Sequence, residues 1–199
     1  MKKLLRIDSS TRGDDSHSRS LADMVEASWR EKYKDLQTIS KDLSKIDIPH
    51  LSQAYIEATF IPEEDRTPEI NKLLSLSNNF IAEIKSADLV IVSVPMFNFS
   101  IPSNLKAYID YISRSGETVI IDETGYRGLL TNKKLVIASA YASGHTQKIK
   151  EMDFVGPYLK TVFGFLGFDD VKYLALGGTA VFSPKELHDK KIELIKDLI

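Results

Sequence analysis

Hydroxyl-bearing residues are concentrated in the loop that follows the first apolar segment of the chain. The loop, from Ser9 to Ser18, reads S-S-T-R-G-D-D-S-H-S and leads into a helical pattern that begins at Ser18. Hydroxyls and the free N–H groups of a helix start are donors that suit a phosphate. A dinucleotide-binding turn would need three glycines, whereas this loop contains only Gly13. The loop predicts a site for a single phosphate, with a plain polar turn capped by Ser16 or Ser18 as the alternative.

A second loop, from Pro95 to Pro102, carries large apolar residues and reads P-M-F-N-F-S-I-P. Turn-forming residues are expected where a strand ends, yet Met96, Phe97 and Phe99 occupy this position. Such side chains suit the flat face of an aromatic cofactor, and Asn98 could form hydrogen bonds with the edge of its ring. An apolar plug that covers the end of a sheet is the alternative.

Strands and helices alternate around these loops. Strands are predicted at 4–8, 36–42, 89–94, 135–140 and 171–176, and helices at 18–33, 68–86, 102–114, 154–166 and 183–198. An irregular insertion at 49–68 carries a short helix around Ala54, and the stripe of the 68–86 helix includes Leu73 and Leu76. The pattern predicts one doubly wound α/β domain over residues 1–199, with a five-stranded parallel sheet in the order 2-1-3-4-5. A hairpin insertion follows the helix at 102–114.

Ligands of such sheets bind beyond the carboxyl ends of the strands, where the strand order reverses. The two loops above lie at that edge, and a third loop, from Tyr141 to Met152, joins them. The sequence therefore predicts one site built from three loops.

Composition limits the classes of function. Of the 199 residues, 43% are apolar and 27% charged, which is typical of a globular protein. The formal net charge of -2 gives no reason to expect a nucleic acid partner. Without cysteine the chain forms no disulfide, thiolate metal site or thiol nucleophile, and no metal is predicted. No run approaches about 18 apolar residues, so we expect a cytoplasmic protein with no membrane span.

The segment P-M-F-N-F-S-I-P-S-N-L-K-A-Y-I-D, from Pro95 to Asp110, resembles the signature of the FMN-dependent NADH-azoreductases, which are flavodoxin-like quinone reductases. Further matches lie at 16–18, 128–134 and 157–167, so the resemblance covers essentially the whole chain. It implies an enzyme that binds FMN and takes a hydride from NADH or NADPH. The hydride passes through flavin N5 to quinones in a ping-pong scheme, and aromatic azo compounds are cleaved to amines. The resemblance also implies a homodimer with flavin sites at the subunit interface.

The same resemblance implies the residues of the site. The positions that hold the phosphate end of FMN are Ser10, Ser16, His17 and Ser18. The positions that line the isoalloxazine are Met96, Phe97, Asn98 and Phe99, next to Pro95. The third loop adds Ser139, Tyr141, Ser143 and Gly144. His145 resembles a family histidine near the substrate and is a candidate for direct involvement; no other catalytic side chain is expected, because the flavin carries the chemistry.

The third loop departs from the family pattern. Many relatives carry S-R-G-G here, whereas this chain reads S-A-Y-A-S-G-H from Ser139. Tyr141 stands where an arginine is common and is expected to offer a neutral aromatic face to the acceptor. Part of the aromatic stretch at 158–168, together with the insertion at 49–68, is expected to form the subunit interface.

Two other classes of function stay open. A flavodoxin-type electron carrier would be shorter and strongly acidic, and the net charge and the hairpin argue against it. An acyl-carrier-protein phosphodiesterase would need a metal cluster or a nucleophile elbow, and the sequence contains neither.

Overall fold

Five parallel strands form the central sheet in the computed structural model, which describes residues 1–144 and 146–198. The described residues contain seven strands in all, of which two form a separate hairpin. They are β1 (Lys3–Asp8), β2 (Gln37–Asp42), β3 (Leu89–Pro95), β4 (Val119–Asp122), β5 (Gly125–Gly128), β6 (Lys134–Tyr141) and β7 (Asp170–Gly177). The sheet has the order β2-β1-β3-β6-β7, and β4 pairs with β5 as a separate antiparallel hairpin. The predicted order 2-1-3-4-5 and the hairpin insertion are both confirmed, since the two hairpin strands only shift the numbering.

Seven helices surround the sheet in the part of the chain that is described. They are α1 (His17–Lys32), α2 (Gln53–Thr59), α3 (Pro68–Ser86), α4 (Ser103–Ile112), α5 (Gln147–Glu151), α6 (Val155–Leu166) and α7 (Pro184–Ile195). The predicted helices are all present, including the short helix around Ala54, and α5 was not predicted. No described helix has the length and apolar character needed to cross a bilayer.

The central strand β3 separates two hydrophobic cores. Leu89 and Ile91 belong to the cluster formed with α1 and α7, whereas Val90, Val92 and Val94 belong to the cluster formed with α3, α4 and α6. Successive side chains of a strand point to opposite faces, so a continuous apolar run is expected where helices cover both sides. The sheet is thus held rigidly from both faces, and its carboxyl edge stays open for the loops.

The core-facing stripe of α3 differs from the prediction. Leu73 is 40% exposed, whereas Leu74 is fully buried. Ser77 occupies a core position in this stripe and donates a hydrogen bond to the Tyr111 carbonyl at 2.6 Å. A buried polar residue is tolerated when its hydrogen bond is made, and its presence obscured the helical period in the sequence.

The hairpin covers one side of α6. Tyr126 of β5 packs on Phe165 with ring centroids 4.9 Å apart, while Phe163 and Phe168 meet edge to face at 5.3 Å inside the core. These two buried rings are therefore not in the part of the stretch that could contribute to the expected subunit interface. Tyr158, which lines a surface groove, is the aromatic residue of the stretch that faces outward there.

Candidate functional site

The loop between β1 and α1 brings three serine side chains to the start of the helix. Ser10, Ser16 and Ser18 are each no more than 3% exposed. The Ser16 hydroxyl caps α1 by accepting a hydrogen bond from the Arg19 N–H at 3.3 Å, and it lies 3.1 Å from the Ser18 hydroxyl. Ser16 is thus the helix cap, and Ser18 adds a second hydroxyl at the first free N–H groups of α1.

Arg19 fixes this loop against the neighbouring strand. Its guanidinium donates to the Ser10 carbonyl at 2.6 Å and to both carboxylate oxygens of Asp42, at 2.6 and 3.0 Å. The hydrogen bonds from Arg19 hold the pKa of Asp42 well below its usual range. A bidentate ion pair at the end of β2 therefore positions the loop between β1 and α1.

The second loop forms a tight turn at the end of β3. Phe97 and Ser100 exchange two backbone hydrogen bonds, at 2.9 and 3.0 Å, around Asn98 and Phe99, whose φ angles are 49° and 69°. Two consecutive positive φ angles are typical of a primed two-residue turn. The left-handed conformation is costly for phenylalanine, and it is held in place by a hydrogen bond from the Phe154 N–H to the Phe99 carbonyl at 3.0 Å.

The apolar-plug interpretation fits only part of this loop. Met96 packs partly buried against the core. Phe97 and Phe99 are 44% and 42% exposed, so they do not close the end of the sheet. The turn presents two aromatic side chains at the edge where a ligand of this fold binds.

The third loop is braced by the segment that follows β7. The N–H groups of Gly178, Thr179 and Ala180 donate to the carbonyls of Ser143, Tyr141 and Ala142, at 2.6, 3.1 and 3.1 Å respectively. The second and third loops are also connected, because the Met96 N–H donates to the Ala140 carbonyl at 2.9 Å. Three chain segments are therefore held together at the carboxyl edge of the sheet.

Tyr141 occupies a different environment from the one expected. Its ring is 5% exposed and lies so close to Gly177 that a Cβ there would approach it to 2.7 Å. Burial, with a smaller contribution from Asp153, raises the pKa of Tyr141 to about 12. The phenol thus remains protonated and supports the wall of the site, and it does not form an open aromatic face.

A cavity of about 130 Å³ lies where these segments meet. It is lined by Ser10, Arg12, Ser16, His17, Ser18, Pro95, Met96, Phe97, Ala140, Tyr141, Ala142 and Thr179. Hydroxyl donors and a helix start form one end, and apolar side chains form the other. This combination matches a ligand with an anionic end and a flat apolar end.

Comparisons with known proteins agree with this geometry. A family model described as "Flavodoxin-like fold" matches residues 2–198. The chain is 44% identical over 181 residues to the FMN-dependent NADH:quinone oxidoreductase of Hydrogenovibrio crunogenus, covering 90% of each protein. The chain belongs to this flavodoxin-like oxidoreductase family. It is also 38% identical to FMN-dependent NADH:quinone oxidoreductase 1 of Trichormus variabilis, covering 91% of this chain and 86% of that protein.

Azoreductases are among the solved structures that resemble this family member. An FMN-dependent NADH-azoreductase from Bacillus anthracis, solved in complex with FMN, has a TM-score of 0.87 and 26% identity, and the match covers 100% of this chain and 97% of that one. A second azoreductase from the same species has a TM-score of 0.86 at 24% identity, covers 99% of this chain and 96% of that one, and supports the fold.

Eight of the thirteen predicted site residues of this oxidoreductase line the cavity. Asn98 lies beside it, in a groove of about 600 Å³ that shares Phe97 with the cavity. Ser139 is fully buried within β6. Phe99, Ser143 and Gly144 lie in the surrounding loops without lining the cavity, and His145 lies outside the described residues.

Arg12, Ala140, Ala142 and Thr179 line the cavity but were not predicted. Thr179 follows β7, the neighbour of β6, so the parallel order of the strands was the signal that could have identified it. Arg12 lies within the predicted loop, and its positive charge was the signal that could have identified it. Among the described residues, no three histidine or acidic side chains group as metal ligands.

His17 stands at the first position of α1 and lines the cavity. Partial burial, together with the charges of Lys191 and Arg12, lowers the pKa of His17 below its ordinary value. The imidazole is therefore mainly neutral at pH 7 and offers one N–H donor to the cavity.

Proposed function

We propose that this chain is an FMN-dependent NADH:quinone oxidoreductase that also reduces aromatic azo compounds to amines. The observation that carries the proposal is the cavity in which serine hydroxyls at the start of α1 meet the aromatic turn after β3. The names of the relatives and of the FMN-bound neighbour support it. When bound, FMN supplies the hydride transfer from NADH or NADPH to the acceptor. Residues 1–199 act as one FMN-binding domain, in the cytoplasm.

The phosphate end of the cofactor is assigned to the start of α1. Ser10, Ser16, His17 and Ser18 bring donors to one end of the cavity, beside N–H groups that α1 leaves free. A phosphate favours such a convergence of donors with a positive helix end. The residues fit a monophosphate, because the loop has a single glycine. A diphosphate site would need several glycines that let the backbone approach the pyrophosphate closely.

The ring of the cofactor is assigned to the turn after β3. Pro95, Met96 and Phe97 give the apolar wall, and Asn98 and Phe99 project from a turn whose backbone is fixed by its neighbours. Ser143 and Gly144 approach through the backbone of the third loop, and Ser139 supports this wall from within β6. The protein's part in the reaction is to position the reactants and exclude water from the covered face. No side-chain acid or base within the described cavity is required.

Two measurements test this function. The purified protein should be yellow, and the flavin released on denaturation should co-elute with FMN and not with FAD. The protein should also oxidise NADH rapidly when a neutral quinone is supplied. Bound FMN without NADH oxidation would favour an electron carrier, and a colourless protein that FMN does not load would contradict the site itself.

We also propose that the enzyme is a homodimer. Leu51, Phe97, Phe99 and Phe154 are all more than 40% exposed. They surround α4, next to the groove that Tyr158 lines, and we call them the α4 surface. An apolar area of this kind beside a ligand site is typical of a subunit interface. Small aromatic acceptors would then enter between the subunits.

A further inference from the structure

Positive charges gather at the start of α1, where the helix dipole disfavours them. The first turn of α1 contains no acidic residue. Arg12 precedes the helix on the cavity wall, and Lys191 of α7 lies close enough to affect the charge of His17. Among the seven described helices, α1 is one of five without an acidic residue in the first turn, whereas α3 and α7 carry Glu69 and Glu186 there. Asp14 and Asp15 lie just before α1 and offset part of the positive charge. An anion bound among these groups would interact favourably with the helix dipole and with both cations.

Lys191 is a buried cation with a neutral partner. It is 9% exposed, and its ammonium donates to the Ser20 hydroxyl at 2.8 Å. Burial lowers the pKa of Lys191, and the negative charge of Asp23 opposes this shift. The Asp23 carboxylate itself accepts a hydrogen bond from Arg6 at 2.5 Å. Lys191 forms no ion pair with any described residue. A buried charge without a counter-charge is destabilising.

Arg12 is an exposed cation with free donors. Its backbone N–H donates to the Ser10 hydroxyl at 3.3 Å, which fixes the residue within the loop. Arg12 lines the cavity, and its guanidinium has no hydrogen-bond or ion-pair partner among the described residues. A guanidinium offers five N–H donors in a geometry that matches phosphate oxygens.

We propose that Arg12 and Lys191 are the counter-charges of the FMN phosphate, and that Lys191 thereby couples flavin binding to the docking of α7. The inference rests on the proposed FMN site. Arg12 contacts the phosphate directly from the loop. Lys191 acts through its field from beneath the first turns of α1, where it is bonded to Ser20, and is therefore a positioning residue.

The coupling follows from the position of Lys191 on the last helix. Leu187 of α7 packs in the same core as Leu21 and Val25 of α1, which brings Lys191 under the start of α1. Without the phosphate, the docked α7 buries an ammonium whose hydrogen-bond partner is the neutral Ser20 hydroxyl. Binding of the phosphate removes that cost, so α7 should open less often when FMN is present.

The first test compares FMN with riboflavin, which has the same ring and no phosphate. Flavin fluorescence titrations of the apo-protein would use Arg12→Met, Lys191→Met and the control Lys185→Met, which removes a charge from an exposed position on α7. Arg12→Met should weaken FMN binding roughly ten- to a hundredfold, and Lys191→Met roughly three- to tenfold. Riboflavin binding should be unchanged in all variants. Lys191→Arg, which keeps the positive charge, should bind FMN about as tightly as the wild type.

Salt and stability separate the two residues. Added salt should shrink the effect of Arg12→Met more than that of Lys191→Met, because buried charges are screened less. Lys191→Met should leave the apo-protein at least as stable as the wild type, since an apolar side chain replaces a buried ammonium. A residue with a merely structural role would instead lose stability and both flavins together.

Hydrogen exchange tests the coupling. FMN should slow amide exchange across α7 in the wild type, riboflavin should not, and Lys191→Met should abolish the difference. Equal weakening of FMN and riboflavin, or an unchanged preference for FMN in both variants, would overturn the inference while leaving the FMN site intact. A wild-type protein that shows no preference for FMN over riboflavin would overturn the proposed phosphate site as well.

Discussion

The Ser18 hydroxyl has hydrogen-bonding capacity that its neighbours in the protein do not fully use. Its hydroxyl lies 3.1 Å from that of Ser16 and 3.4 Å from that of Ser93, and it is 1% exposed. A hydroxyl can donate one hydrogen and accept two. Rotation of the Ser18 hydroxyl towards the cavity would thus cost a weak contact and gain a charged acceptor.

We therefore expect Ser18→Ala to weaken FMN binding about ten- to a hundredfold, since a hydrogen bond to a charged group contributes roughly 1.5–3 kcal/mol. Riboflavin binding should hardly change. Ser28→Ala is a matched control, because Ser28 is buried on the same helix away from its start. Equal losses for both flavins in isothermal titrations would remove Ser18 from the phosphate site.

Asn98 combines a backbone role and a side-chain role that two substitutions can separate. Asn98→Gly keeps a residue that adopts a positive φ, so it should preserve the turn and remove only the amide. We expect flavin binding to weaken about two- to tenfold, for FMN and riboflavin alike. Asn98→Ala should also lower the melting temperature, because alanine is strained at φ 49°. Unchanged riboflavin affinity in Asn98→Gly would show that the amide does not contact the ring.

The site residues that could be predicted from the sequence are those that lie next to a recognisable helix or strand. Ser16 and Ser18 precede a helix, and Phe97 and Asn98 follow a buried strand, so their place in the fold could be inferred locally. Lys191 lies 171 positions from Ser20 along the chain. Its approach to α1 depends on how α7 crosses the sheet, which no local pattern specifies.

At the scale of elements, the Arg19–Asp42 pair connects β2 to the loop between β1 and α1. The pKa of Asp42 is depressed in the folded protein, first by its hydrogen bond with Arg19. Its stabilisation is therefore present above the unfolded value of about 3.9 and is lost as the pH falls through that value towards the folded one.

Asp42→Asn should lower the free energy of unfolding at pH 7 by about 1 kcal/mol, near the lower end for a charged hydrogen bond because the pair is partly exposed. It should also flatten the loss of stability below pH 4. Asp47→Asn, at an exposed position, is the control. Parallel acid denaturation curves for Asp42→Asn and wild type would contradict this role.

The hairpin is held against α6 by two glycines in close contact. A Cβ on Gly128 would lie 2.1 Å from the Gly167 nitrogen, and the Leu130 N–H donates to the Leu166 carbonyl at 2.8 Å beside it. Because backbone atoms cannot move aside as a flexible side chain can, Gly128→Ala should destabilise the protein by about 1–3 kcal/mol.

Gly164→Ala provides the comparison on the same helix. A Cβ there would meet nothing within 4 Å, so the substitution should stabilise the protein by up to about 1 kcal/mol through helix propensity. Urea denaturation of the two variants measures both effects. If Gly128→Ala unfolds at the wild-type urea concentration, the hairpin does not depend on this contact.

Elements were predictable where their pattern was simple. The apolar run of β3 is buried on both faces, as its composition indicated. The stripe of α3 was assigned to Leu73 in place of Leu74 because Ser77 interrupts it. The sequence also does not reveal which rings of α6 are covered, because it does not show that the hairpin packs over that helix. In each case tertiary packing decided which face was covered.

For the whole molecule, the parallel topology explains why distant loops form one site. All five strands of the sheet run in the same direction, so the segments after β1, β3, β6 and β7 emerge at one edge. The order of the strands then places the segments after β1 and β3 next to each other beside the cavity. The general location of the site could thus be predicted from the strand order, and the same order would also have pointed to the segment after β7 that carries Thr179.

The two outer faces of the molecule give different expectations for assembly. The α4 surface lies on the side of α3, α4 and α6, and it includes Phe154, which is 58% exposed. Ile192 is 46% exposed on α7, whose helix packs on the opposite face of the sheet. If the proposed dimer buries the α4 surface, only the first of these positions should be sensitive to charge.

Phe154→Asp should therefore shift the mass measured by light scattering from twice the 22.4 kDa chain mass towards a single chain, because an ionised carboxylate is costly to bury in an apolar interface. Ile192→Asp should leave the mass unchanged. Quinone reduction should fall with the dimer fraction in Phe154→Asp as the protein is diluted, since the proposed acceptor site lies between the subunits. A fully active wild-type monomer, or equal behaviour of the two variants, would show that the α4 surface serves another purpose and that each chain forms a complete site.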